Sequence, residues 1–246
     1  MAPGLPGAPS RCPGVAGAGV RAGFRARAQS AIHYPGIGVC VGLLYSATRL
    51  VLSPVVSLFT GCEVRGREHI PATGRLIVAA NHVAYTDPPL VGFAARRELF
   101  YLAKEELFHV PVLGPLITAY NAIPIRRGRA DVAGMAKAME VVRSGRALIM
   151  FPEGTRSRDG NLLPARPGVG RIAHDAEALV VPCRLEGSDQ PGKWLLRQVR
   201  LRVSFGPART WQELAGEQAG LEPGRELFQA ISDGVMREIA ALGTGR

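Results

Sequence analysis

From Cys62 onward, short apolar runs alternate with stretches of helical periodicity, and few architectures accept that alternation. The candidate strands are Leu76–Ala80, Leu99–Leu102, Ala122–Ile125, Ala147–Phe151, Leu179–Cys183 and Val199–Phe205. The candidate helices are Pro88–Ala95, Val112–Tyr120, Asp131–Arg143, Val169–Asp175 and Arg225–Leu242. On the third helix Val132, Met135, Met139 and Val142 recur on one face; on the last, Leu227, Phe228, Ile231, Val235 and Ile239 do. Strands interleaved with helices specify an α/β domain: a mixed, mostly parallel sheet flanked by helices. A chain of 246 residues is long enough for one such domain with a real core. In sheets of this kind, sites form where strand ends lead through loops into helices.

Three regions follow from this reading: 1–35, 36–61 and the α/β domain 62–246. Residues 1–35 are rich in Gly, Ala, Pro and Arg, and no acidic residue occurs before Glu63, which reads as a disordered basic arm. Ile37–Gly61 is apolar and long enough for a bilayer span. Arg49 at its middle and Pro54 argue against a simple span. Gly38, Gly42, Ser46, Arg49, Ser53 and Ser57 form a stripe at helical spacing, so the segment reads as helix lying in a membrane interface. The bland alternative is a helix that covers the core of a soluble protein. The net charge of +10 suits an anionic partner: acidic phospholipid, nucleic acid or a phosphorylated substrate. Aromatic residues make up only 6% of the chain, so stacking platforms for nucleic acid are scarce. The cysteines Cys12, Cys40, Cys62 and Cys183 form no CxxC pair, and the five histidines show no ligand spacing. Neither a disulfide framework nor a metal site is expected, and a reducing, cytosol-facing compartment fits best.

Three polar stretches lie at candidate strand ends. NHVAYTDPPL follows LIVAA and sets His82 and Asp87 five positions apart. A carboxylate holding one imidazole nitrogen leaves the other free as a general base. The plainer reading is that Asp87, followed by proline, is a helix N-cap, and a carboxylate has oxygens enough for both. FPEGTRSRDG places Glu153, Gly154, Thr155 and Arg156 in one loop, a composition suited to a phosphate and a neighbouring hydroxyl. Its tail, Ser157–Gly160, reads as a solvated turn. AIPIRRG ends in Arg126 and Arg127, two further phosphate forks, although an arginine pair alone is more often surface than site. No P-loop, HExxH pair, dinucleotide fingerprint or GxSxG elbow is present.

Taken in order, NHVAYTD, KEELFHVPVLGPLITAYNAIPIRRG, FPEGTRSRDG and LVVPC resemble the PlsC-type glycerolipid acyltransferases, in the branch of the 1-acyl-sn-glycerol-3-phosphate acyltransferases. The resemblance covers roughly residues 60–210. It implies the glycerolipid acyltransferase fold seated on a membrane by its N-terminal helices. It also implies transfer of an acyl group from a thioester, acyl-CoA or acyl carrier protein, to the sn-2 hydroxyl of a lysophospholipid, without a further cofactor. His82 is implied as the base and Asp87 as its orienter. Arg127, with Arg126 beside it, is implied in binding the glycerol phosphate. Glu153, Gly154 and Thr155 are implied in the acceptor site, with Arg156 adding a phosphate contact. The expected partners are the thioester donor, with acyl carrier protein as one form of it, the lysophospholipid acceptor and an anionic membrane at its cytoplasmic face, with no nucleic acid. Two departures bear on the acceptor: Ala84 stands where the family often has serine, and Arg126 where it often has aspartate. The open alternatives are another lysophospholipid or polyol acceptor, and a basic membrane- or nucleic-acid-binding module without catalysis.

Overall fold

The computed structural model describes residues 61–95, 97–126, 131–190, 192, 193, 196 and 198–243. The basic arm 1–35, the apolar segment 36–61 except Gly61, and Arg127 lie outside these residues. Among the described residues no helix is long and apolar enough to cross a membrane.

The strands are β1 Glu63–Arg65, β2 Leu76–Ala80, β3 Leu99–Lys104, β4 Ala122–Ile125, β5 Ala147–Met150, β6 Leu179–Glu186 and β7 Arg202–Phe205. The helices are α1 Asp87–Ala94, α2 Leu113–Ala119, α3 Val132–Arg143, α4 Gly168–Asp175, α5 Trp211–Ala215 and α6 Arg225–Ala241. The strands form one sheet in the order β1-β7-β6-β2-β5-β3-β4. Every pairing is parallel except β6 with β7. This is the mixed, mostly parallel sheet that the alternation dictates. Strand β2 sits between β6 and β5, buried on both faces, which is why LIVAA is apolar at every position.

The pleat sends successive side chains to opposite layers. Ile77, Ala79, Leu148 and Met150 pack with α3, α4, α5 and α6. Leu76, Val78, Ala80 and Cys183 pack on the other face with Leu90 and Val91 of α1. Strand β6 runs past its sequence-based limit because Arg184–Glu186 pairs with β7 after the partnership with β2 has ended at Cys183. Strand β1 has three residues and α5 five, too short for periodicity to register. Helix α5 is set instead by a capping box between Thr210 and Glu213.

On α6 the expected stripe is buried, with Phe228 at its margin. On α3 the buried face is Gly134, Ala138, Val141 and Val142, whereas Val132 is 77% exposed. Met135 and Met139 pack only at its edge. The small residues let α3 lie close to the sheet, so the stripe is rotated from the one that large side chains suggest.

Gly170 of α4 fixes the approach of α6. A Cβ there would lie 2.0 Å from the Phe228 carbonyl oxygen. Ser232 Oγ accepts the Gly170 N–H at 2.9 Å and donates to the Phe228 carbonyl at 2.9 Å. Gly170→Ala is therefore expected to destabilise the fold by about 2 kcal/mol through overpacking, read as a lower urea midpoint with an unchanged slope. An unchanged midpoint would show that the two helices part at no cost.

Candidate active site

Strand β2 ends at Ala80, and the next residue continues its ladder with a side chain. The Asn81 carboxamide donates to the Leu185 carbonyl at 3.1 Å and accepts the Leu185 N–H at 2.7 Å. A carboxamide carries the same donor and acceptor as a peptide group, so Asn81 locks the end of β2 to β6. His82 then leaves the sheet at a fixed point.

The His82 main chain is held on both sides by the FPEGTRS loop after β5. Its N–H donates to Glu153 Oε1 at 3.3 Å, and its carbonyl accepts the Ser157 N–H at 2.8 Å. Its ring stacks on Phe151, with centroids 4.1 Å apart and planes at 23°. Ser157, expected in a solvated turn, is buried and serves as this link. Its hydroxyl donates to Asp159 at 2.8 Å, and Asp159 also accepts from Asn161. These bonds hold the Asp159 carboxyl down at about 2.

Asp87 is fully buried. Its Oδ2 lies 2.9 Å from His82 Nδ1 and accepts the N–H groups of Val83 at 2.7 Å and Ala84 at 2.8 Å. A carboxylate only accepts, so the imidazole proton sits on Nδ1 and Nε2 carries the lone pair. The expected capping role is not what the carboxylate does. Thr86 is the N-cap of α1, Asp87 is the first helical residue, and no side chain caps the helix. Asp87 reaches back to the loop instead of forward into the helix, because three donors converge on Oδ2. The backbone of Ala84 thus supports the carboxylate at the position where a serine was expected.

Glu153 is buried beside this pair, and burial pushes its carboxyl up to about 7. The backbone N–H groups of His82 and Leu163 and the Arg184 charge pull the other way without prevailing. A carboxyl raised in the fold keeps its proton between about 4.5 and 7, where the unfolded chain has lost it. Stability contributed by this group therefore falls as pH rises through that window and levels off above it. Glu153→Gln keeps an acceptor for His82 N–H and removes the titration. Relative to wild type it should be more stable at pH 8 than at pH 5 by about 1–3 kcal/mol, measured by urea unfolding at both values. A pH-independent difference would mean that Glu153 does not titrate in the fold.

Gly154 turns the loop at φ +67°, with its N–H on the Phe151 carbonyl at 3.0 Å. A Cβ there would lie 2.8 Å from Arg166 Cδ, so only glycine fits without a shift. Thr155 is exposed. The Arg156 guanidinium lies over the Tyr85 ring, 3.5 Å from its centroid.

Arg126 stands at the end of β4, and its fork meets Glu105 at 2.6 and 3.2 Å. That pair is exposed and screened by solvent, so it adds little to stability, and the guanidinium lowers the Glu105 carboxyl. Strands β2, β5, β3 and β4 are parallel neighbours, so all three motif loops leave one edge of the sheet. Three strand spacings separate the ends of β2 and β4, about 14 Å. The structure thus joins His82, Asp87, Glu153, Gly154 and Arg156, and sets Arg126 to the side on the same edge. Phe151 and Ser157 are site contacts that sequence reasoning does not give. Their signal was adjacency to the motifs, which says nothing of contact.

A family model described as Acyltransferase matches residues 61–186. The chain belongs to the acyltransferase family. Among family members, the 1-acyl-sn-glycerol-3-phosphate acyltransferase of Limnanthes alba is 34% identical over 183 residues, covering 72% of this chain and 64% of the relative. The enzyme of the same name from Bacillus subtilis is 24% identical over 200 residues, covering 81% of this chain and 96% of the relative. The chain spans less than two thirds of the length of these plant relatives. In fold it is similar to the crystal structure of the 1-acyl-sn-glycerophosphate (LPA) acyltransferase PlsC from Thermotoga maritima. The TM-score is 0.59 at 24% identity, over 84% of this chain and 89% of that one.

Proposed function

We propose that this acyltransferase moves a fatty acyl group from an acyl thioester to the sn-2 hydroxyl of 1-acyl-sn-glycerol 3-phosphate, giving phosphatidic acid. One observation carries the reading: the His82 ring is fixed at Nδ1 by a buried carboxylate that is itself fixed by two backbone N–H groups. That arrangement presents a basic Nε2 to a substrate hydroxyl. The names of the relatives supply the acceptor.

As the hydroxyl oxygen attacks the thioester carbonyl, its proton passes to His82 Nε2. The tetrahedral intermediate collapses with cleavage of the C–S bond, and the departing thiolate takes that proton back. Asp87 stabilises the imidazolium between the two transfers. The substrate hydroxyl is itself the nucleophile, which is consistent with a sequence that offers no serine elbow. A thioester is already activated, so the reaction needs no further cofactor. Arg127, Arg126 and Arg156 are assigned to the acceptor phosphate, and Glu153, Gly154 and Thr155 to the wall of the acceptor site. Because acceptor and product are bilayer lipids and the chain carries a net charge of +10, we place the reaction at an anionic membrane face on the cytoplasmic side.

The test is incubation of the full chain with lysophosphatidate, other lysophospholipids and monoacylglycerol, each with acyl-CoA or acyl carrier protein thioesters, read by mass spectrometry. Phosphatidic acid as the dominant product is expected. Preferential acylation of a different lysolipid would move the acceptor assignment, and no transfer at all would end the enzymatic reading.

A further inference from the structure

Tyr85 is a large aromatic side chain left 77% exposed in the loop between His82 and Asp87. Its ring carries the Arg156 guanidinium, 3.5 Å from the centroid. Both partners are anchored to His82. Tyr85 follows the turn whose N–H groups are held by Asp87. Arg156 precedes Ser157, whose N–H holds the His82 carbonyl. Arg126, by contrast, spends its fork on Glu105, whereas Arg156 makes no ion pair among the described residues.

A guanidinium lying over a ring face keeps its N–H donors in its own plane, clear of the ring. The stack therefore orients the fork without using up a donor, and stacking restricts a side chain that otherwise has many rotamers. We propose that Tyr85 is a positioning residue for acceptor selection: it presents the Arg156 fork, at a set place relative to His82, to a phosphomonoester on the acceptor. The inference rests on the acceptor class proposed above.

The expectation follows from the strength of such contacts. Tyr85→Ala should raise KM for lysophosphatidate about threefold to tenfold, with the effect on KM rather than kcat. KM for acyl-CoA and for the neutral acceptor monoacylglycerol should not follow it. Tyr85→Phe keeps the ring and should restore the wild-type KM. In an Arg156→Ala background, Tyr85→Ala should add nothing. Tyr85 is exposed, so its removal is not expected to unfold the chain, and a melting curve checks this.

Three outcomes overturn the inference: an unchanged or lowered KM in Tyr85→Ala, an equal rise for monoacylglycerol, or a full effect in the Arg156→Ala background. Wild-type protein that acylates no phosphorylated acceptor would remove the proposed function as well. Wild-type protein that does, with Tyr85→Ala indistinguishable from it, removes this inference alone.

Discussion

His82→Ala is expected to lose acyl transfer by about 10²- to 10⁴-fold, the range typical of a general base. The fold should survive, because the bonds that hold the loop use the His82 main chain. Its N–H to Glu153 and its carbonyl to Ser157 are both available to alanine. What disappears is the stack on Phe151 and one of the three donors on Asp87 Oδ2. The other two are backbone groups and remain. A modest drop in melting temperature with an unchanged circular dichroism spectrum is therefore expected beside the kinetic loss. Wild-type turnover in this variant would falsify the base assignment. Loss of turnover together with loss of the folded spectrum would leave the result to His82→Gln, which has similar reach and hydrogen-bonding capacity but cannot take the proton.

Much of this architecture was legible because parallel strands buried on both faces must be apolar throughout. Leu76–Ala80 has its sequence-based limits for that reason, whereas Ala122–Ile125 is an edge strand with only Ile123 buried and was legible as a short apolar run alone. The expected strand Val199–Phe205 is longer than the observed one, since only Arg202–Phe205 finds a partner along the sheet. Pairing partners lie far apart in sequence and leave no local mark. The same holds at the site. The His82–Asp87 spacing is local, and a tight turn brings five positions together. The bonds from Glu153 and Ser157 to His82 join residues more than 70 positions apart, and they exist because β5 lies beside β2. Asp87 shows how a sound local rule is overruled. An acidic residue before proline is a good cap, yet three convergent donors behind it outweigh what one orphan helix N–H offers.

Asp87→Asn separates the two jobs of that residue. Asparagine places its carbonyl oxygen where Oδ2 stands, since only an oxygen can accept the N–H groups of Val83 and Ala84 and the His82 Nδ1 proton. The turn and the imidazole tautomer are then preserved. The amide nitrogen falls at the place of Oδ1, which is buried without a hydrogen-bond partner among the described residues. Two N–H donors left unpaired there cost about 1–3 kcal/mol of stability. The larger effect is on rate, because a neutral amide no longer stabilises the imidazolium formed when His82 takes the proton. A fall in kcat of about 10²- to 10⁴-fold is expected, with KM for the acceptor little changed. Asp87→Ala should cost more stability than Asp87→Asn, since it strips the acceptor from two backbone N–H groups as well. If Asp87→Asn keeps wild-type kcat, the carboxylate is a scaffold for the loop and its charge plays no part in the chemistry. If kcat falls while the folded spectrum and acceptor KM hold, the charge acts on the proton that His82 carries.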